Sequence, residues 1–299
     1  MSDQAAKLRT LLEERAEEDA RERKIGELYF GMADTTRVIA ITSGKGGVGK
    51  TNLAVNLSVA LQMAGQRIML VDADIGMANV NLLMGSVTNR SLIELLDDDV
   101  QLEDVVEYGV EGVKYISGVA AVEAALNLSR SEQRKLHKKL GRCSELADIV
   151  IIDTGAGLNR NVIEFVLAAE EVLLITTPEP TSLADAYAVI KAYSTYTARR
   201  NIKLVVNRIR DEEDSFDVAE RINQTTKKFL NMTIETLGYI YEDKAVHDAV
   251  HAQEPFIIAE PDSPAARCVF EIANSLLSGE KMNSVSRGWR AFLDRLFGY

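Results

Sequence analysis

Short apolar runs alternate with longer stretches of mixed polarity along most of the chain. From Arg37 onwards, runs of β-branched or aliphatic residues predict strands at Val38–Thr42, Ile68–Val71, Val113–Ser117, Ile149–Ile152, Val172–Thr176, Leu204–Val206 and Leu237–Ile240. Because successive positions in these runs are apolar, both faces of each strand are expected to be covered, as in a parallel sheet between two layers of helices.

Helical spacing fills the intervals between these strands. The predicted helices are Thr51–Ala64, Ser91–Leu96, Ser131–Leu146, Asn161–Ala169, Ser182–Thr197, Phe216–Leu230 and Pro264–Ser278. Ser131 is typical of a helix start, since its hydroxyl precedes an acidic and an amide residue. The alternation predicts an α/β fold with a doubly wound, mostly parallel sheet and helices on both faces.

The pattern also divides the chain into three parts. Residues 1–35 form a charged extension that begins with apolar positions at helical spacing, residues 36–280 form the α/β domain, and residues 281–299 form a polar linker and a last short helix. We expect the two ends to have functions that differ from that of the domain.

Composition excludes several classes of protein. The chain has 299 residues, is 46% hydrophobic and carries 34 Lys+Arg against 45 Asp+Glu, so its net charge is 34 − 45 = −11. It is too apolar to be disordered throughout, and its acidity argues against a surface that coats nucleic acid. Cys143 and Cys268 alone predict neither a disulfide framework nor a cysteine metal site. Because no run approaches about 18 apolar residues and the N-terminus is charged, a cytoplasmic location is expected.

A glycine-rich octet carries the strongest chemical signal. Residues Gly44–Thr51 fit G-x-x-x-x-G-K-[ST] between an apolar strand and a helix. Glycines allow backbone N–H groups to surround phosphate oxygens, and the positive end of the following helix favours the anion. Lys50 is expected to reach the β- and γ-phosphates and Thr51 to bind Mg²⁺. The residues expected to bind ATP here are Gly44, Lys45, Gly46, Gly47, Val48, Gly49, Lys50, Thr51 and Asn52.

Three carboxylates follow predicted strands, where ligands bind in open α/β sheets. Asp72 and Asp74 follow the second strand, and Asp153 follows the fourth strand at the Walker B position. Gly155 and Gly157 come next, in a loop able to sense a γ-phosphate. A carboxylate at a strand end is often only a helix cap, so it is the phosphate loop that favours a catalytic interpretation.

Lys45 adds a second lysine inside the loop, in Lys-Gly-Gly-Val-Gly-Lys-Thr. This pattern resembles the deviant Walker A motif of the MinD/ParA family of ATPases. The resemblance implies a sandwich dimer formed with ATP, in which each Lys45 reaches the partner's phosphates, and makes Lys45, Lys50 and Asp74 the catalytic residues. It further implies that Asp74 polarises the attacking water while Asp72 and Asp153 hold hydrated Mg²⁺. A solvated loop charge is the alternative for Lys45.

The same resemblance suggests where the base would lie. Asn207 and Arg208 follow a strand, and the segments Pro178–Pro180 and Tyr241–Asp243 match loops that border the nucleotide in this class. Asn207, Arg208 and Glu242 are therefore expected to bind ATP through its base. An Asn after a strand is also a common turn residue, which remains the alternative.

Two motifs resemble one branch of the family. Residues Asp72–Asn79 read Asp-Ala-Asp-Ile-Gly-Met-Ala-Asn, similar to the FlhG group (also called FleN or YlxH), which controls flagellar number and placement. Near the N-terminus, Asp3, Gln4, Leu8 and Arg9 fit the D-Q-A-x-x-L-R element that engages and stimulates the flagellar GTPase FlhF. The resemblance implies FlhF and flagellar switch (C-ring) proteins as partners. A charged helical tail without this function would look similar.

The C-terminal segment predicts an amphipathic helix. Its apolar face consists of Trp289, Phe292, Leu293, Leu296 and Phe297, opposite a polar face with a positive balance. Such a helix can lie in an anionic membrane interface, as in the family, which would place the ATP-bound dimer at the inner face of the cell membrane. The alternative is permanent packing on the domain. A helix that covers an apolar groove in the monomer and is released by ATP-driven dimerisation would satisfy both.

Other functions compete with a flagellar ATPase. A MinD-like protein of septum placement usually lacks the N-terminal extension, and a ParA-like partition ATPase needs a basic DNA-binding surface, for which only short basic doublets are present. A nucleotide-dependent scaffold with incidental hydrolysis is a further alternative. A metal-dependent hydrolase is disfavoured because His247 and His251, four residues apart, have no accompanying zinc-binding motif and are expected on a helix surface.

Overall fold

The computed structural model describes residues 34–74, 79–85, 92–117, 128–197, 201–279 and 288–298. The predicted partner-activating residues Asp3, Gln4, Leu8 and Arg9 lie outside these ranges. The described part of the chain from Thr35 on packs as one compact unit.

The described strands form one sheet in the order β3-β4-β2-β5-β1-β6-β7-β8. All neighbouring strands are parallel except β3, which pairs antiparallel with β4. The strands are β1 (Arg37–Ser43), β2 (Ile68–Ala73), β3 (Glu107–Tyr108), β4 (Lys114–Ile116), β5 (Ile149–Ala156), β6 (Glu171–Thr176), β7 (Ile202–Ile209) and β8 (Glu235–Tyr241). The predicted fold class is confirmed.

The helices connect successive strands and cover the sheet. They are α1 (Lys50–Met63), α2 (Asn79–Leu83), α3 (Leu102–Val105), α4 (Arg130–Leu140), α5 (Cys143–Leu146), α6 (Arg160–Ala168), α7 (Pro180–Tyr196), α8 (Glu212–Leu230), α9 (Lys244–Ala252), α10 (Phe256–Ala259), α11 (Pro264–Ser278) and α12 (Gly288–Phe297). Short 3₁₀ turns occupy Leu92–Leu96 and Val110–Gly112.

Local structure departs from the predictions at several places. The helix predicted at Ser131–Leu146 is divided into α4 and α5. In the segment predicted as the helix Ser91–Leu96, the described residues Leu92–Leu96 form a 3₁₀ helix instead of an α-helix. Helix α8 begins at Glu212, earlier than predicted, because the Asp211 carboxylate accepts a hydrogen bond from the backbone N–H of Asp214. Strand β3 and helix α10 were missed, since they are short, whereas α9 contains His247 and His251, which were expected on a helix.

The sheet order decides where chemistry can occur. Strand β1 lies between β5 and β6, so the loop after β1 emerges at the middle of the sheet. Asp72 and Asp153 are register partners across β2 and β5. The phosphate loop and the predicted metal ligands therefore meet at one edge of the sheet, as expected for parallel strands.

Candidate functional site

The loop between β1 and α1 is held in a conformation that only glycine adopts easily. Gly47 and Gly49 have φ angles of 77° and 95°, in the left-handed region. At Gly44 the constraint is space, because a Cβ would lie 2.4 Å from backbone atoms of Asp185. Lys50 is the first residue of α1 and is only 7% exposed. These features produce a compact, constrained loop before α1, and its binding of phosphate stays a prediction.

Lys50 brings the three predicted carboxylates together. Its Nζ lies 2.9 Å from Asp153 Oδ1 and 3.7 Å from Asp74 Oδ2. The backbone N–H of Asp74 donates to Asp72 Oδ1 over 3.1 Å. Asp72 and Asp153 are buried, whereas the Asp74 side chain is 28% exposed. Of the three carboxylates, Asp74 is therefore the one with access to solvent.

Among the described residues, the cluster contains two buried carboxyl groups, Asp72 and Asp153, but only one buried cation, Lys50. Burial and the neighbouring Asp153 raise the pKa of Asp72 to about 7. Burial also raises the pKa of Asp153, although Lys50 and a hydrogen bond from Thr51 oppose the rise. The Oδ2 atoms of Asp72 and Asp153 are buried without a hydrogen-bond partner. Such unsatisfied buried oxygens need an explanation, and a cation would provide one.

The donor set fits hydrated Mg²⁺. Within the ranges that the structure describes, no group of three or more His, Cys, Asp or Glu side chains forms a ready-made metal cage. Magnesium keeps most of its waters and needs only one or two carboxylates together with substrate phosphates. Two carboxylates, Asp72 and Asp153, and the hydroxyl of Thr51 are therefore enough protein ligands for hydrated Mg²⁺.

The second lysine of the loop points elsewhere. Lys45 Nζ donates to Glu179 Oε2 over 2.8 Å and to Thr181 Oγ1 over 3.1 Å, and its side chain is 40% exposed. This contact lowers the pKa of Glu179. Lys45 therefore lies at the rim, tied to the start of α7, while Lys50 occupies the carboxylate cluster.

Asn207 holds the phosphate loop in place. Its Nδ2 donates to the Val48 carbonyl over 2.7 Å, and its Oδ1 accepts from the backbone N–H of Arg208 over 2.9 Å. The side chain lies so close to Gly49 that a Cβ there would come within 2.3 Å of Asn207 Nδ2. The predicted base contact of Asn207 stays a prediction, and the structure adds a bracing role that the sequence did not suggest.

A cavity of about 190 Å³ adjoins the phosphate loop. One side is formed by the start of α1, and the opposite sides are the ends of β7 and β8 and the helix α9. Its lining residues are Gly49, Asn52, Leu53, Asn207, Arg208, Ile240, Tyr241, Glu242, Asp243, Val246, His247, Val250, His251 and Phe256. The predicted base residues Asn207, Arg208 and Glu242 thus share one cavity with His247 and His251 of α9, which the sequence predicts on a helix surface.

The C-terminal helix α12 packs against the domain. All five predicted membrane residues, Trp289, Phe292, Leu293, Leu296 and Phe297, are buried in one apolar cluster with residues of α4, α6 and β5. Phe292 stacks between Trp289 and Phe165, with ring centroids 5.1 and 6.4 Å away. In this conformation the apolar face is not available to a membrane.

Polar contacts complete this docking. Trp289 Nε1 donates to the Leu140 carbonyl over 2.6 Å, and Arg295 Nε donates to the Ala168 carbonyl over 2.8 Å. His137 Nε2 lies 2.8 Å from Asp294 Oδ1. None of the helices in the described ranges is both long and apolar enough to cross a membrane.

Comparisons with known proteins identify the relatives of this chain. A family model described as an AAA domain matches residues 36–206. The antiactivator FleN of Pseudomonas aeruginosa is 34% identical over 247 residues, covering 83% of this chain and 88% of that protein. The flagellum site-determining protein YlxH of Helicobacter pylori is 28% identical over 287 residues, covering 91% and 93%.

A solved structure extends the likeness to three dimensions. The septum site-determining protein MinD of Pyrococcus horikoshii, in complex with Mg-ADP, matches with a TM-score of 0.63 at 28% identity, over 81% of this chain and 96% of that chain. By its phosphate loop, its sheet and these relatives, the chain belongs to the MinD/ParA family of P-loop ATPases, and within that family it is similar to the flagellar proteins FleN and YlxH of the FlhG group.

Proposed function

We propose that this ATPase is a switch in which ATP binding and dimerisation are one event and hydrolysis returns the monomers. The single observation that carries the proposal is the position of Lys45, which is 40% exposed and tied to Glu179 at the rim. Lys50 is the lysine that pairs with the buried Asp153, whereas Lys45 lies outside the carboxylate cluster and is available to act outside its own site. A partner's phosphates are the target that the family resemblance suggests.

Each residue of the site has a proposed role. Lys50 and the loop N–H groups bind and orient the phosphates, and Asp74 accepts a hydrogen bond from the attacking water. Thr51, Asp72 and Asp153 would hold Mg²⁺, which when bound neutralises charge on the phosphates. Phosphoryl transfer needs little more than such positioning and charge stabilisation.

Particle mass measured with ADP and with ATP tests the switch. We expect a monomer with ADP and a dimer with ATP in the Asp74→Ala variant, which binds nucleotide but does not hydrolyse it. Lys45→Ala should remain monomeric with ATP, whereas the matched control Lys227→Ala, at an exposed position of α8, should dimerise. An Asp74→Ala protein that binds ATP and stays monomeric would contradict the proposal.

The same variant separates the switch from its main rival. If the protein were a scaffold whose hydrolysis is incidental, Asp74→Ala would lock it in the active state and complement a deletion strain. A cycling ATPase with Asp74→Ala should not complement. Counting flagella per cell in the complemented strain distinguishes the two.

We further propose that dimerisation releases α12 to an anionic membrane surface. Two kinds of contact hold α12 on the domain and support this proposal. Its apolar face is buried, and Asp294 on the helix contacts His137 of α4 at a partly exposed position. His137→Ala removes the contact with Asp294 from the α4 side and leaves the sequence of α12 unchanged. It should therefore weaken docking and increase pelleting with anionic liposomes. Phe292→Asp changes the helix itself and should abolish pelleting with ATP. Equal pelleting of wild type and both variants would refute release.

The flagellar assignment is also a proposal. It rests on the likeness to FleN and YlxH and on the N-terminal element with Asp3, Gln4, Leu8 and Arg9. We expect the intact chain to stimulate GTP hydrolysis by FlhF and Gln4→Ala to lose most of this effect, with Gln224→Ala on α8 as the matched control. Switch proteins of the C-ring are the further partners to test by binding. On this view residues 1–35, 36–280 and 281–299 serve the partner, the nucleotide and the membrane respectively.

A further inference from the structure

The helix α9 forms one wall of the cavity beside the phosphate loop. Val246, His247, Val250 and His251 all line this cavity, and their spacing of one, four and five residues places them on one helix face. Asp243 fixes the start of the helix, because its Oδ1 accepts from the Ala245 N–H over 2.9 Å and its Oδ2 from the Ala265 N–H over 3.2 Å. The wall is therefore held rigidly between β8 and α11.

The next helix, α10, is tied to α1, the helix that follows the phosphate loop. Asn56, on α1, accepts a hydrogen bond from the Ile257 N–H over 3.1 Å, which joins α1 to α10. Phe256, the neighbour of Ile257, is buried at the cavity. If the phosphates of a nucleotide occupy the loop, its ribose and base would therefore lie in the adjoining cavity beside α9.

The chemistry of the wall suits a flat, partly polar ring. Val246 and Val250, both partly buried, contribute apolar surface to the lining, and His247 and His251, both at exposed positions, contribute two imidazole rings. Aromatic rings stack well on nucleobases, and ligand cavities commonly combine apolar walls with a few polar groups. Glu242 adds a carboxylate oxygen that can accept from an exocyclic amine of a base.

We propose that His247 and His251 are nucleobase-contacting residues of the ATP site, against whose rings the base stacks. This inference rests on the proposed nucleotide site and extends it from the loop to α9. It assigns a function to two histidines that sequence spacing alone had placed on a helix surface.

Binding of ADP and of pyrophosphate, both measured by calorimetry, tests the inference. Pyrophosphate occupies only the phosphate loop, so it reports on the loop without the base. The double variant His247→Ala/His251→Ala should bind ADP about tenfold more weakly, while its affinity for pyrophosphate stays within twofold of wild type. The matched control Asp248→Ala, on the same helix and outside the cavity lining, should bind both ligands as wild type does.

A second double variant tests stacking itself. His247→Phe/His251→Phe keeps the rings and removes their nitrogens, so it should bind ADP within threefold of wild type. The inference is overturned if the alanine variant binds ADP normally, if it loses ADP and pyrophosphate equally, or if the phenylalanine variant is as weak as the alanine variant. A wild-type protein that binds neither ligand would overturn the nucleotide site itself and this inference with it.

Discussion

Phe292 holds the C-terminal helix at the centre of its buried face, so its truncation is the most informative test of how firmly α12 is docked. The ring is 1% exposed and stacks on Trp289 and on Phe165 of α6. Phe292→Ala removes both contacts and leaves a cavity between the helix and the domain. The change weakens docking without adding charge or altering the nucleotide site.

The expected size of the effect follows from burial. A fully buried Phe→Ala change costs about 3–5 kcal/mol, the sum of lost transfer free energy and the cavity left behind. Since each 1.4 kcal/mol is a factor of ten, the equilibrium between docked and released α12 should move by about 100-fold to 4,000-fold. That shift exceeds the error of hydrogen-exchange measurements by a wide margin.

Hydrogen exchange of the α12 amides measures this equilibrium directly, because their exchange requires the helix to open. We expect their protection to fall at least about a hundredfold in Phe292→Ala, with the amides of β1 and β5 unchanged. Trp289 is the only tryptophan in the chain, so its emission should shift to longer wavelength as the helix is released. Phe216→Ala is the matched control, because Phe216 is 71% exposed and its truncation removes little packing.

One result would refute the reasoning. If Phe292→Ala lowers the protection of α12 and of the central strands by the same factor, the helix opens only when the whole domain unfolds. The tail would then be a permanent part of the core, and release to a membrane would be excluded.

Three further predictions concern the nucleotide site. Lys50→Ala leaves Asp153 buried beside other carboxylates, so urea denaturation without ligand should show that the free energy of unfolding falls by about 3–5 kcal/mol. Asp74→Ala, at a partly exposed carboxylate, should lower it by less than about 1 kcal/mol. Gly49→Ala places a Cβ 2.3 Å from a side-chain amide at a φ of 95°, so calorimetry should detect no ADP binding. Glu179→Gln removes the solvent-exposed ion pair that holds Lys45 within its own protomer, so Lys45 should reach a partner more easily. The ATP concentration for half-maximal dimerisation should then fall by less than about fivefold. An increase would show that this ion pair does not oppose dimerisation.

The centre of the site was predictable because its signals are local. The glycine spacing of the octet, with strand and helix on either side, specifies the phosphate loop. Parallel strands end at the same edge of a sheet, so the positions of Asp72 and Asp153 after apolar runs were enough to bring them together. Their register pairing across β2 and β5 agrees with that expectation.

What was missed depends on contacts between distant residues. The bond from Asn207 to the Val48 carbonyl spans 159 positions, and no local pattern encodes it. Helix α9 buries Ala249 in the core, while Val246 and Val250 pack against that core and also line the cavity. An apolar position in the sequence does not distinguish these two surroundings. The docking of α12 is likewise tertiary, because an amphipathic face looks the same in sequence whether protein or lipid covers it.

The two hydrogen bonds from α12 have a mechanical consequence. Trp289 and Arg295 donate to the carbonyls of Leu140 and Ala168, the last residues of α4 and α6. Helix ends leave such carbonyls unsatisfied, so the tail acts as the C-terminal cap of two helices. Helix α6 begins just after the loop that contains Gly157, with Asn159 as its N-cap. The N-terminus of α6 therefore follows the loop that contains Gly157, and its C-terminus is held by α12. Helix α6 thus connects the loop beside the carboxylate cluster to the C-terminal helix.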